Sequence, residues 1–311
     1  QAPYPIISYK QAMLEFGSDK PDLRNPLRIV DVTDFFQRCT FKPFHGQTVR
    51  AIKVSNKMSK GFHEKLLKFA TSIGMGGLGY LEVKEDLSYK GPIDKFIPDD
   101  MKAEIREIAG LKGGDTIFFI ADKEKQAALY AGQLRNELGQ RLDLLEKNAY
   151  RFCFINDFPM YEYDEEQKKI IFTHNPFSMP QGGLEALTTK DPLELLAYQY
   201  DIVCNGVELS SGAVRNHNLD IMVKAFEIAG YTEEDLKEKF GALYNAFQYG
   251  APPHAGMAPG VDRMIMLLRN EENIREVIPF PMNGNAQDVM CGAPNEVSEM
   301  QLREVHIKVR K

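Results

Sequence analysis

No apolar run among the 311 residues approaches the ~18 to 20 that cross a bilayer, so a spanning helix and a membrane partner are excluded. The N-terminal stretch QAPYPIISYK lacks the basic segment followed by a long apolar one that marks a secretory leader, and a cytoplasmic protein is the expectation. Cysteine is sparse. Cys39, Cys153, Cys204 and Cys291 stand far apart with no C-x-x-C pair, which leaves little support for a zinc site or a disulfide framework and favours reduced, structural thiols. Basic charge is not in excess either. With 38 Lys and Arg against 44 Asp and Glu, the net charge of −6 argues against a protein coated in nucleic acid, although an acidic enzyme can hold RNA through a local basic surface. What is present, 43% hydrophobic and 26% charged residues, suffices for one large core or two smaller ones.

From about Leu27 to Leu134 short apolar strands alternate with amphipathic helices. VRAIKV (Val49 to Val54) and TIFFI (Thr116 to Ile120) are β-branched and aromatic with few breakers, as strands are. Ser59 can cap a helix whose Phe62, Leu66, Phe69 and Ile73 share one face. Gly74, Gly76 and Gly79 after it match G-x-G-x-x-G, but a dinucleotide loop follows a strand and opens a helix. This one follows a helix and opens the strand YLEV, so a helix cap and tight turn is the reading.

Beyond Leu134 the strands lengthen. YRFCFINDFP and KKIIFTHNPF are too aromatic and β-branched for helices, and the acidic YEYDEEQ between them reads as a solvated turn. In YQYDIVCNGVELSS, Asn205-Gly206 signals a two-residue hairpin loop. That register sets Cys204 opposite Val207, Val203 opposite Glu208 and Asp201 opposite Ser210, so Asp201 and Glu208 project from one face. Two carboxylates there form either a plain charged face or a cation site. Arg215 and His217 follow. The seven positions from Glu208 to Arg215 put the two on opposite faces of a regular strand, and a bulge near Gly212 would bring them to one. A guanidinium there is either a strand ion pair or a bidentate clamp for an acidic ligand.

Thr232 with Asp235 three residues on caps a helix with a buried stripe of Leu236, Phe240, Leu243 and Phe247. Then GAPPHAGMAPGVDRMIMLL (Gly250 to Leu268) breaks helical structure until Asp262 and puts Arg263 in the first turn of an apolar helix. A guanidinium beside free helix-start N–H groups either pairs locally or favours an anion, and a polyphosphate uses both kinds of group.

In combination these segments resemble the bacterial aspartyl-tRNA synthetases of class II. The stretch from Gly250 to Leu268 is similar to motif 3 of class II, and FGSDKPDLRNP, NDFPMYE, HNPFSMP and NGVELSSGAVRNHN are similar to further signatures in that family's order. The resemblance implies an α+β fold: an antiparallel class II catalytic core, incomplete here, interrupted by an inserted α+β domain of a kind shared with an amidotransferase subunit. The implied division is 1–26 and 135–311 for the core and 27–134 for the insertion.

The resemblance further implies that Gly260, Val261, Asp262 and Arg263 bind ATP, with Arg263 on the γ-phosphate. Glu208 would act with Mg²⁺ and Asp201 as its neighbour. Arg215 would grip the side-chain carboxylate of substrate aspartate, and His174 would be a further aspartate contact. The implied partners are aspartate, ATP and tRNA, with a homodimer in the full-length enzyme. Three departures stand out. His174-Asn175-Pro176-Phe177 replaces His-His-Pro-Phe, Ser210 and Ser211 stand where glycines are usual, and no F-R-x-E occurs, so motif 2 is absent from this sequence. The chain is therefore expected to be a C-terminal part of such an enzyme, inactive alone. The alternatives are a non-catalytic tRNA-handling module and a synthetase-like enzyme that modifies an amino acid.

Overall fold

A computed structural model describes residues 2–55 and 58–310. The chain forms two compact units, residues 1–259 and 260–311.

In the first unit, β1 (Ile6–Ser8) leads directly into α1 (Tyr9–Phe16), because the Ser8 hydroxyl accepts the Gln11 N–H at 3.2 Å and satisfies a free donor of the first turn. Next come β2 (Ile29–Asp31), α2 (Thr33–Arg38), β3 (Thr48–Val54), α3 (Lys60–Ser72), β4 (Gly79–Val83), β5 (Tyr89–Lys90), α4 (Lys102–Ala109), β6 (Thr116–Asp122) and α5 (Glu124–Arg141). Their strands make one antiparallel sheet in the order β2-β3-β6-β4-β5. Ile117 and Phe119 of β6 pack on one side with α2 and α4, whereas Phe118 and Ile120 pack on the other with α3 and α5. Burial on both faces is why TIFFI is an unbroken apolar run rather than an alternating one. The Ser59 cap and the apolar face of α3 form as expected, and Gly74 takes a left-handed φ of 99° at the helix end before Gly79 opens β4. The G-x-G-x-x-G match is thus a helix terminus.

The chain continues through β7 (Phe152–Pro159), β8 (Tyr161–Asp164), β9 (Lys169–Phe172), α6 (Gly183–Thr189), β10 (Leu196–Cys204), β11 (Val207–Val214), α7 (Leu219–Ile228), α8 (Glu233–Gln248) and β12 (Ala255–Pro259). The second five-stranded sheet runs β1-β7-β10-β11-β12, antiparallel except that β1 joins β7 in parallel. Ala12 and Phe16 of α1 cover one of its faces, meeting Cys153, Ile155, Phe158 and Val203.

Several expectations need correction. Tyr161–Asp164 is a strand paired with β9 rather than part of a turn, because Tyr161, 2% exposed, anchors it by donating its hydroxyl to the Ala225 carbonyl at 2.8 Å. Ala255–Pro259, read only as breaking helical structure, is a strand whose small residues lie along β11. Cys291 is exposed, whereas Cys39, Cys153 and Cys204 are buried, and all four are free thiols. In α8 the Thr232–Asp235 capping box forms and Leu236 is buried, with a kink at Phe240.

The segment after α1 is held down by α5. Gly17 ends α1 with φ 65°, and a Cβ on Gly132 would stand 2.5 Å from the Gly17 carbonyl oxygen, so only two glycines permit this approach. One turn further along α5, Arg135, 1% exposed, donates to the carbonyls of Leu27 at 2.8 Å, Asp22 at 2.9 Å and Asn25 at 2.8 Å. Burial pulls its pKa down to about 10. Helix α5 therefore runs past position 134 and ties the 22–27 segment to itself.

The second unit consists of α9 (Val261–Arg269), a 3-10 turn at Ile274–Glu276, an extended stretch and α10 (Glu299–Glu304). Of α9 only Met266 is buried, so its apolar run lies open. No helix among the described residues is long and apolar enough to cross a membrane.

Candidate functional site

The hairpin that carries the site turns at Asn205 and Gly206, whose φ values of 52° and 84° are both left-handed, as a two-residue loop of this type requires. Cys204 pairs with Val207 and Val203 with Glu208, as the loop length dictates. Further in, the register slips, so that Ile202 meets Ser210 and Asp201 meets Ser211 rather than Ser210. Leu209 is the extra residue. The bulge thus lies three residues before Gly212, where one was anticipated, and has the anticipated effect of resetting the alternation that follows Glu208. Asp201, Glu208, Ser211 and Arg215 all project from one face of the sheet. Arg215 stays extended past the end of β11, its N–H donating to the His254 carbonyl at 2.9 Å and its backbone bridging to Ser178.

Asp201 is 3% exposed, and its Oδ1 has no hydrogen-bond partner. Burial raises its pKa to about 6; nearby Glu208 adds to the rise, while Ser211 and Lys20 oppose it. The segment after α1 supplies the compensating charge. Lys20 Nζ lies 2.6 Å from Asp19 Oδ2 and 3.5 Å from Glu208 Oε2. Partial burial works against its ammonium, but Asp19, Glu208 and Asp201 together hold its pKa above the ordinary lysine value.

His174 follows β9. Its ring packs edge-on against Phe158 at 4.9 Å and Tyr9 at 6.2 Å between centroids. That partial burial lowers its pKa, and Asp19, Lys20, Glu162 and Glu208 are the charges it senses. His174 and Glu208 therefore border one charged cluster. Arg215 is half-buried and, among the described residues, makes no ion pair. Such a guanidinium favours an incoming carboxylate. The Ser210 hydroxyl on the opposite face is buried without a partner.

A hard divalent cation takes oxygen ligands, and the unpartnered Oδ1 of Asp201 beside Glu208 offers a carboxylate pair suited to one. Among the described residues no group of three or more His, Cys, Asp or Glu could hold a metal ion. A cation here would take one or two carboxylates, with water or phosphate oxygens filling the other positions.

The remaining candidates belong to the second unit. Gly260 is the N-cap of α9, Val261 and Asp262 open its first turn, and Arg263 is the third helical residue, Gly260 half-exposed and the other three exposed. Two contributors escaped the reading of the sequence, Asp19 and Lys20. The charge-dense segment after Gly17 is visible, but which of its charges faces the hairpin depends on how Arg135 and Gly132 seat it.

Carboxylates and an arginine on one face of an antiparallel sheet, and a Gly-Val-Asp-Arg helix start, are the arrangement that the resemblance seen in the sequence led one to expect. The chain matches the family described as tRNA synthetases class II (D, K and N) over residues 1–284, and it belongs to that family. It is similar to an aspartate–tRNA(Asp/Asn) ligase of Zymomonas mobilis, 55% identical over 315 residues, covering 99% of this chain and 53% of that protein. It is also similar to an aspartate–tRNA ligase of Streptomyces avermitilis, 53% identical over 312 residues, covering 100% of this chain and 53% of that protein. The chain spans about half the length of the curated relatives it matches.

Proposed function

We propose that this chain supplies the aspartate-recognising half of an aspartate–tRNA ligase. Aspartate attacks the α-phosphate of ATP, giving aspartyl-adenylate and pyrophosphate, and the aspartyl group then passes to the 3′-terminal ribose of tRNA. The observation that carries this reading is the shared face of Asp201, Glu208 and Arg215 in a chain whose similar relatives are named for this activity. Arg215 receives the side-chain carboxylate of aspartate through two parallel N–H donors, and neutral asparagine, lacking that charge, is rejected. His174, its pKa lowered by the packing around its ring, serves as a hydrogen-bonding wall of the amino-acid pocket. Glu208, with Asp201 beside it, holds Mg²⁺, which when bound neutralises phosphate charge. Gly260, Val261, Asp262 and Arg263 bind ATP, Arg263 taking the γ-phosphate. Catalysis is mostly positioning and charge neutralisation.

Residues 27–134 are read as a domain inserted between the core segments 1–26 and 135–311, with α5 shared across the later boundary. The active enzyme is a cytoplasmic homodimer. The test is Arg215→Leu in a protein of the relatives' full length carrying this chain. Loss of a charge-assisted bidentate contact should cost about 3 to 5 kcal/mol in kcat/KM for aspartate. An unchanged kcat/KM removes Arg215 from the role.

A further inference from the structure

Lys20 is a cation beside the Asp201–Glu208 pair, its Nζ 3.5 Å from Glu208 Oε2, and its placement is built rather than incidental. The Lys20 N–H donates to Ser18 Oγ at 3.0 Å. Asp22 binds Arg24 through both carboxylate oxygens, Nη2 to Oδ2 at 2.7 Å and Nε to Oδ1 at 3.0 Å. Arg135 grips the carbonyls of Asp22, Asn25 and Leu27. The hairpin tip closes on the same segment, since a Cβ on Gly206 would stand 3.5 Å from Asp22 Cβ. A segment anchored in this way delivers one ammonium among three carboxylates: Asp19 at 2.6 Å, Glu208 at 3.5 Å, and Asp201 within electrostatic reach. Asp201, 3% exposed, still has an oxygen without a partner.

We infer that Lys20 is a positioning residue, a resident counter-ion of the Asp201–Glu208 pair. It holds the two carboxylates together when no divalent cation is bound and gives way when one arrives. A compact ammonium on a flexible stem suits this role, because it neutralises charge without the fixed fork of a guanidinium and can swing toward Asp19 without leaving its partners. The inference rests on the metal role proposed for Asp201 and Glu208, but not on the identity of the amino acid or nucleotide.

The ammonium and a divalent cation compete for the same oxygens, so removing the ammonium should tighten metal binding. The test is Mn²⁺ alone, titrated into the 311-residue chain and followed by the loss of the free-ion electron paramagnetic resonance signal. Lys20→Met is expected to bind Mn²⁺ at least about tenfold more tightly than the parent. Lys20→Arg, which keeps the charge, should show no such gain, and neither should Lys147→Met, whose ammonium pairs with Asp143 instead. Adding Asp201→Asn to Lys20→Met should abolish the gain. Mn²⁺ binding by Lys20→Met that is unchanged, weaker or undetectable overturns the inference, since a residue that merely braced the fold would give one of those results. Failure of the aspartate assignment would show separately, as missing aspartate-dependent ATP–pyrophosphate exchange in the longer protein with the Mn²⁺ result intact.

Discussion

Replacing Arg135 by Met tests how the 22–27 segment is held beside the site. The guanidinium makes three hydrogen bonds to buried or half-buried carbonyls at 2.8, 2.9 and 2.8 Å, and each hydrogen bond to a charged group contributes ~1.5 to 3 kcal/mol. The gross contribution is thus roughly 5 to 9 kcal/mol. Against it stands the cost of burying the charge. A pKa drawn from the ordinary arginine value down to about 10 corresponds to roughly 3 kcal/mol disfavouring the charged form. Methionine keeps the aliphatic contact but leaves the carbonyls without donors, so the net loss should be about 3 kcal/mol. At ~2 to 4 °C per kcal/mol for a unit of this size, thermal unfolding followed by circular dichroism should shift down by roughly 6 to 12 °C. Arg135→Lys should recover only part of this, because one ammonium cannot reach all three carbonyls. A shift of under ~2 °C for Arg135→Met would refute the claim that this arginine holds the segment.

The raised pKa of Asp201 makes a pH prediction whose sign is set by linkage. The folded carboxyl binds its proton more tightly than the unfolded one, so the native state gains stability as pH falls from above 6 toward the ordinary aspartate value of about 3.8, and loses it as pH rises through about 6. Measured as the difference between parent and Asp201→Asn, the gain across that window should approach roughly 3 kcal/mol in urea unfolding, and a flat difference would show that Asp201 titrates normally. Separately, a polypeptide of these 311 residues alone is expected to show no aspartate-dependent ATP–pyrophosphate exchange, because it contains no F-R-x-E arginine for the α-phosphate. Exchange near the rate of a full-length relative would contradict that.

Local chemistry made much of this chain legible from its residues alone. Asn205-Gly206 specifies its own turn because both positions need left-handed backbone, and from that turn the Val203–Glu208 pairing follows without knowledge of the rest. Ser59 and Thr232 announce helix starts because a hydroxyl can satisfy free N–H groups only a few residues away. The Gly-Val-Asp-Arg helix start and the shared face of Asp201 and Glu208 were visible for the same reason, since one depends on spacing within a helix start and the other on a hairpin whose two-residue turn is local. What tertiary structure decided lies between elements. The bulge at Leu209 instead of near Gly212 is set by how β10 and β11 pair, and nothing in either strand's own sequence locates it. Tyr161–Asp164 became a strand because Tyr161 found the Ala225 carbonyl 64 positions away. Lys20 faces Glu208, and Arg135 reaches back across more than a hundred residues to Asp22 and Leu27, because Gly17 and Gly132 let a helix and a turn approach at backbone distance. Such contacts depend on shape complementarity between distant segments, which no local periodicity encodes.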